Sequence, residues 1–182
     1  MTAFQHPRLR EIAGYIAGVR AELAAIVTVA SAADMARPGA GGRWNGAQII
    51  EHLGKAEGSI AKYLEGTFAT ALGAGLAMET ESSSVLDSLA RLGVQDAATR
   101  PLVAPDRLRP SAAPELAVVW ESLQAVRLRT LRAFATVDGR ALDRVSAPHP
   151  FFGPLNGYEW FVFIGQHEVR HIAQLRRHLS AS

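Results

Sequence analysis

Apolar residues recur at alternating spacings of three and four in several long stretches of the chain. In the first, Leu9, Ile12, Ile16, Val19, Leu23, Ile26 and Ala30 fall on one side of a helical wheel. Such a stripe predicts a core-facing helix from about Pro7 to Ala30. Pro7 suits the first helical turn, and the run Arg37-Pro38-Gly39-Ala40-Gly41-Gly42 breaks the chain beyond the far end. Gly14 and Gly18 weaken this helix, and small residues four apart would let another helix approach closely.

A second helix is predicted from the cap Asn45 to about Glu65. Gln48 completes a capping-box pair with Asn45. Its inward stripe is Ile49, His52, Leu53, Ala56, Ile60 and Tyr63, with Glu51 and Glu57 toward the flanks. A third helix should start at Pro114-Glu115 and reach about Val137, where Asp138-Gly139 stops it. Leu116, Val119, Leu123, Val126, Thr130 and Phe134 make its stripe, which leaves Arg127, Arg129 and Arg132 mainly outside. Asn156, with Glu159 as capping-box partner, opens a fourth helix that runs to about Leu179. Between the second and third helices, residues 67–113 are irregular, apart from a short helix over Ser82–Leu92. Four prolines make Pro101–Pro114 an exposed, largely non-helical connection. Leu142–Pro154 reads as a loop, and no strand pattern stands out. The expected fold is all-α: a four-helix bundle with one long crossover between helices two and three, filling residues 1–182 as a single domain.

Composition narrows the function. A chain of 182 residues, 48% hydrophobic and 20% charged, can bury a core without staples. The formal net charge of +2 comes from scattered arginines, so no nucleic-acid partner is implied. Arg100, Arg107 and Arg109 in the crossover would suit either an anion or a solvated loop. There is no cysteine, which excludes disulfides, thiolate metal ligands and a protein thiol nucleophile. The N-terminus lacks the basic and apolar regions of a signal peptide, and the most apolar run, Leu23–Ala33, is too short to cross a bilayer. A cytoplasmic protein without a membrane partner is expected.

The chemistry concentrates in the fourth helix, where His167 and His171 stand i and i+4 on the face that carries Trp160, Ile164 and Leu175. Two readings are open. A histidine on an apolar face is ordinarily a core residue bonded to a carbonyl or carboxylate, whereas two on one inward stripe can chelate a divalent ion. The best third ligand is His52, on the inward stripe of helix two. Three imidazoles match the rule for an open zinc site, and nickel, iron, manganese or cobalt also accept imidazole. Glu51, Glu168 and Gln174 are candidates to orient the rings, or ordinary helix-surface groups. His178, roughly on the same stripe, is either a fourth ligand or a terminal histidine favoured by the helix dipole. His6 and His149 lie in terminal and loop contexts outside the site, with His149 placed to border its mouth.

Three segments together resemble a known family: Trp44-Asn45 with Gln48 and Glu51-His52-Leu53; His149-Pro150 with Phe152-Gly153-Pro154-Leu155; and His167-Glu168-Val169-Arg170-His171-Ile172-Ala173-Gln174. In order and spacing they are similar to the DinB-like superfamily of metal-dependent proteins across nearly the whole chain. The family often has serine where Asn45 stands, and asparagine caps equally well. The resemblance implies a four-helix bundle with His52, His167 and His171 as a metal triad, zinc or nickel ahead of the other ions. Characterised relatives include a mycothiol-dependent maleylpyruvate isomerase and bacillithiol transferases, and relatives commonly associate through their helices. The resemblance therefore implies a divalent-metal-dependent S-transferase or isomerase acting on a small molecule with a low-molecular-weight thiol, as a homodimer. The alternative is a non-catalytic metal-binding or stress-associated bundle acting through protein contacts. The family name implies no DNA binding.

Overall fold

The computed structural model describes residues 4–95 and 102–181, so Arg100 and Pro101 of the crossover lie outside the described residues. Five α-helices are described: α1 (Pro7–Val29), α2 (Ala32–Ala36), α3 (Gly46–Gly73), α4 (Leu116–Ala135) and α5 (Gly157–Ser180). The four long ones form the all-α bundle, with α3 against α4, α1 against α5, and α5 against α3. Asn45 and Asn156 each make both halves of a capping box, with Gln48 and Glu159 respectively.

Several elements depart from the expectation. α3 continues two turns beyond Glu65, to Gly73, because Leu64 and Phe68 bury against the core. α2 was not expected; its cap is Ser31, whose hydroxyl accepts from the Asp34 amide, and it buries Met35. The short helix expected over Ser82–Leu92 is a 3₁₀-helix at Leu86–Leu92, a second 3₁₀-turn lies at Asp106–Leu108, and the rest of the described crossover is irregular. The expected loop before α5 holds a hairpin, β1 (Ser146–His149) against β2 (Gly153–Asn156), antiparallel with Ala147 opposite Leu155. Its two prolines face one another in the register, a position that alternation cannot flag.

The interior has two apolar clusters with a charged layer between them. One centres on Phe134, which stacks on Phe161 at 3.9 Å between ring centroids and meets Phe68 edge-on at 5.1 Å. The other gathers Leu23, Ile49, Leu53, Leu123, Ile172 and Leu175. Each long helix contributes one charged residue to this layer: Arg20, Glu57, Arg127 and Glu168. All four are buried. Glu168 accepts from Arg20 Nε at 2.7 Å and Arg127 Nη2 at 2.6 Å. Glu57 accepts from Arg127 Nε at 2.7 Å and Arg20 Nη2 at 3.2 Å. Burial alone would lower the Arg127 pKa, but Glu57 and Glu168 outweigh it and the guanidinium is held above its usual value. Arg127 and Glu57 are thus core residues, contrary to their expected place outside the stripes; reciprocal pairing satisfies charges that could not be buried singly.

Within the chain the close helix approach falls at Gly165 and not at Gly14 or Gly18. A Cβ on Gly14 or Gly18 would meet nothing within 4 Å, so both face outward. Gly165 on α5 is where α1 comes near, since a Cβ there would overlap the Tyr15 ring and lie 3.0 Å from Ile16 Cγ2. By length and composition α1 alone among the described helices could cross a membrane. Its Leu9, Ile12, Ile16, Val19 and Leu23 are nevertheless buried in the bundle, and Arg20 sits in the charged layer.

Candidate metal centre

His52 on α3 and His167 and His171 on α5 come together, each offering a ring nitrogen within 4.8 Å of the others. Ring centroids are 4.8 Å apart for His52 and His171, 5.4 Å for His52 and His167, and 4.5 Å for His167 and His171. The single-turn offset on α5 and the antiparallel packing of α3 produce this convergence.

Two of the three rings are oriented from behind. His52 Nδ1 donates to the Leu108 carbonyl at 2.9 Å, and His171 Nδ1 donates to Gln174 Oε1 at 2.9 Å. A proton on Nδ1 leaves the Nε2 lone pair of each ring directed into the cluster. His171 Nε2 lies 3.1 Å from His167 Nε2. With the His171 proton on Nδ1, that contact needs either a proton on His167 Nε2 or a cation between the two nitrogens. Tetrahedral ligation with metal–nitrogen bonds of about 2.0–2.1 Å places ligand nitrogens about 3.3 Å apart. The donor set and the His167–His171 spacing therefore fit a divalent ion.

The electrostatics favour neutral rings. Burial pushes His171 down to about 3, with His52 adding to the shift. Burial likewise holds His167 well below the usual range, helped by His171 and His52, and lowers His52. At neutral pH all three rings are uncharged, and each keeps one ring-nitrogen lone pair. Trp44 covers the cluster, tilted on His52 at 4.7 Å and stacked over His171 at 6.5 Å.

The other expected participants divide. Gln174 orients His171. Glu51 instead accepts from the Ser111 amide and hydroxyl and pairs with Lys55. Glu168 turns away from the histidines into the charged layer. His178 is not a fourth ligand: its Nε2 bonds the Asp34 carbonyl at 3.0 Å, tying α2 to the end of α5. His6 caps α1 by accepting from the Arg8 amide. His149, at the hairpin, packs on Phe163 at 4.6 Å and Trp160 at 5.1 Å, and burial lowers its pKa to about 4. The Leu108 carbonyl was the unforeseen partner; a backbone acceptor 56 positions from His52 carries no side-chain signal.

The cluster lies on the wall of a chamber of about 1440 Å³ bounded by α3, α5, the loop before α3, the crossover and the hairpin. A bundle with three inward, neutral imidazoles beside a chamber this large is suited to hold an ion with coordination positions left for a ligand. A family model described as DinB superfamily matches residues 15–175, and the chain belongs to that superfamily, whose members are commonly metal-dependent. The chain is also similar to the Uncharacterized protein YuaE of Bacillus subtilis (strain 168), 39% identical over 54 residues. That stretch is 30% of this chain and spans 33% of the relative's length. No solved structure matches the chain.

Proposed function

We propose that His52, His167 and His171 bind one divalent metal ion, zinc or nickel ahead of iron, manganese or cobalt. On this reading the protein is a metal-dependent S-transferase or isomerase that uses a low-molecular-weight thiol and a small-molecule substrate. The observation that carries the reading is the convergence of three neutral imidazoles on a solvent-reached chamber. A divalent ion held by His52, His167 and His171 would supply the positive charge that lowers the pKa of a nearby thiol toward neutral pH. The absence of cysteine makes an external thiol the sulfur source.

The chain's own groups supply the rest. Leu108 and Gln174 hold two rings in the tautomer that offers Nε2. Trp44 shields the imidazoles on one side. The aromatic wall of Tyr63, Phe151, Phe152, Trp160 and Phe163 accepts an apolar substrate and excludes water from it.

Elemental analysis of the purified protein tests the metal, and a thiol-transfer screen with electrophiles tests the activity. About one equivalent of metal is expected. His171→Ala should lose most of it and His149→Ala should keep it, because only the first removes a ligand. Chelation should abolish transfer and leave helical content intact, since the apolar clusters hold the bundle without an ion. Cooperative unfolding on chelation would instead make the metal structural and favour the non-catalytic alternative. Unchanged metal in His171→Ala would refute the triad.

A further inference from the structure

The chamber wall is chemically one-sided. Among the described residues six arginines line it (Arg37, Arg43, Arg107, Arg109, Arg170 and Arg177), and no aspartate, glutamate or lysine does. The whole chain carries a formal charge of only +2, so this concentration is local. The six come from three separate regions: the loop before α3, the crossover around Asp106–Leu108, and α5.

Some of these cations already have structural partners. Arg37 donates to the His178 and Ala181 carbonyls, Arg109 pairs with Asp106, and Arg170 donates to the Val94 carbonyl. Arg43, Arg107 and Arg177 make no side-chain hydrogen bond or ion pair among the described residues, and all three are exposed. A guanidinium without a carboxylate partner at the edge of a cavity is well placed to receive an anionic ligand.

Position along the chamber is ordered as well. α5 runs from Trp160 and Phe163, past His167 and His171, to Arg177. At 1.5 Å rise per residue, Arg177 lies about 9 Å beyond His171 along the axis. The Arg37 bonds to the end of α5 bring the Arg37–Arg43 loop to that same end. At the opposite end Tyr63 meets Trp160 edge-on at 6.2 Å, beside His149 and Phe163.

We propose that the chamber binds a small organic anion lengthwise, its carboxylate, sulfonate or phosphate at Arg43 and Arg177 and its apolar part toward the Trp160 end, so that it passes the histidines. The inference deepens the proposed function and rests on the chamber being the reaction site. Anion binding itself requires no metal, so the two can fail separately.

The probe is 1-anilinonaphthalene-8-sulfonate, compared with N-phenyl-1-naphthylamine, the same body without the sulfonate. Both are titrated by fluorescence into metal-free and metal-loaded protein, with metal content measured in parallel. The sulfonate should bind more tightly than its neutral analogue, and the preference should shrink as ionic strength rises. The double variant Arg43→Gln/Arg177→Gln should weaken the sulfonate about tenfold and leave the neutral probe unchanged. Arg10→Gln, exposed on α1 and absent from the chamber wall, should change neither. Neither arginine makes a side-chain contact the fold needs, so the melting temperature should stay at the wild-type value. Equal affinity for the two probes, or a double variant that binds the sulfonate as the wild type does, would overturn the inference. A protein that holds no metal yet keeps the arginine-dependent preference would overturn the metal proposal and uphold this one.

Discussion

Glu168→Gln isolates what the charged layer does. Glu168 is 2% exposed and accepts from both Arg20 and Arg127. Removing its charge while keeping its shape leaves two buried guanidiniums with Glu57 as the remaining carboxylate. The intact layer need not stabilise the fold on balance, because desolvating four charges offsets most of their attraction. Breaking it is costly nonetheless: an uncompensated buried charge costs about 3–5 kcal/mol, and the retained amide hydrogen bonds put Glu168→Gln near the lower figure. For a chain of this size about 3 kcal/mol corresponds to a fall of roughly 6–12 °C in melting temperature. Urea denaturation followed by circular dichroism reads the free energy, and elemental analysis on the same sample reads the metal. The expected result is a large loss of stability with metal content kept at low temperature. A loss below about 1 kcal/mol together with loss of metal would refute the reasoning and return Glu168 to the histidine cluster.

Three further outcomes are expected. The three depressed histidines bind fewer protons folded than unfolded, so metal-free protein should lose stability as pH falls below the unfolded value of about 6.5. For His171 the loss should continue to about 3, at up to about 1.4 kcal/mol per pH unit, and melting in chelator from pH 7 to 4 should be less steep in His171→Ala. Gly165→Ala should cost about 1–3 kcal/mol by overpacking against Tyr15 and Ile16, while Gly14→Ala and Gly18→Ala should gain up to about 1 kcal/mol; thermal melts of the three variants check the contrast. A homodimer through the outward face of α1 would appear as twice the chain mass in light scattering, and only monomer at high concentration would reject it.

The four helical stripes and both capping boxes were legible because they depend on residues within a turn or two of one another. His167 and His171 share a face for the same local reason, and placing His52 on the inward stripe of its helix needed nothing more. Tertiary structure decided how the helices meet, and with it every partner distant in the chain. Arg127 and Glu57 read as surface charges because periodicity ranks residues singly; their burial depends on Arg20 and Glu168 arriving from two other helices. Gly165, rather than Gly14 and Gly18, takes the close approach because rotation about the helix axis is settled by packing. The hairpin escaped notice because β1 and β2 are four residues each and proline-bearing, too short for alternation to register. The one-sided chamber is the most strictly tertiary feature, since its arginines are scattered in sequence and only the bundle collects them around the histidines.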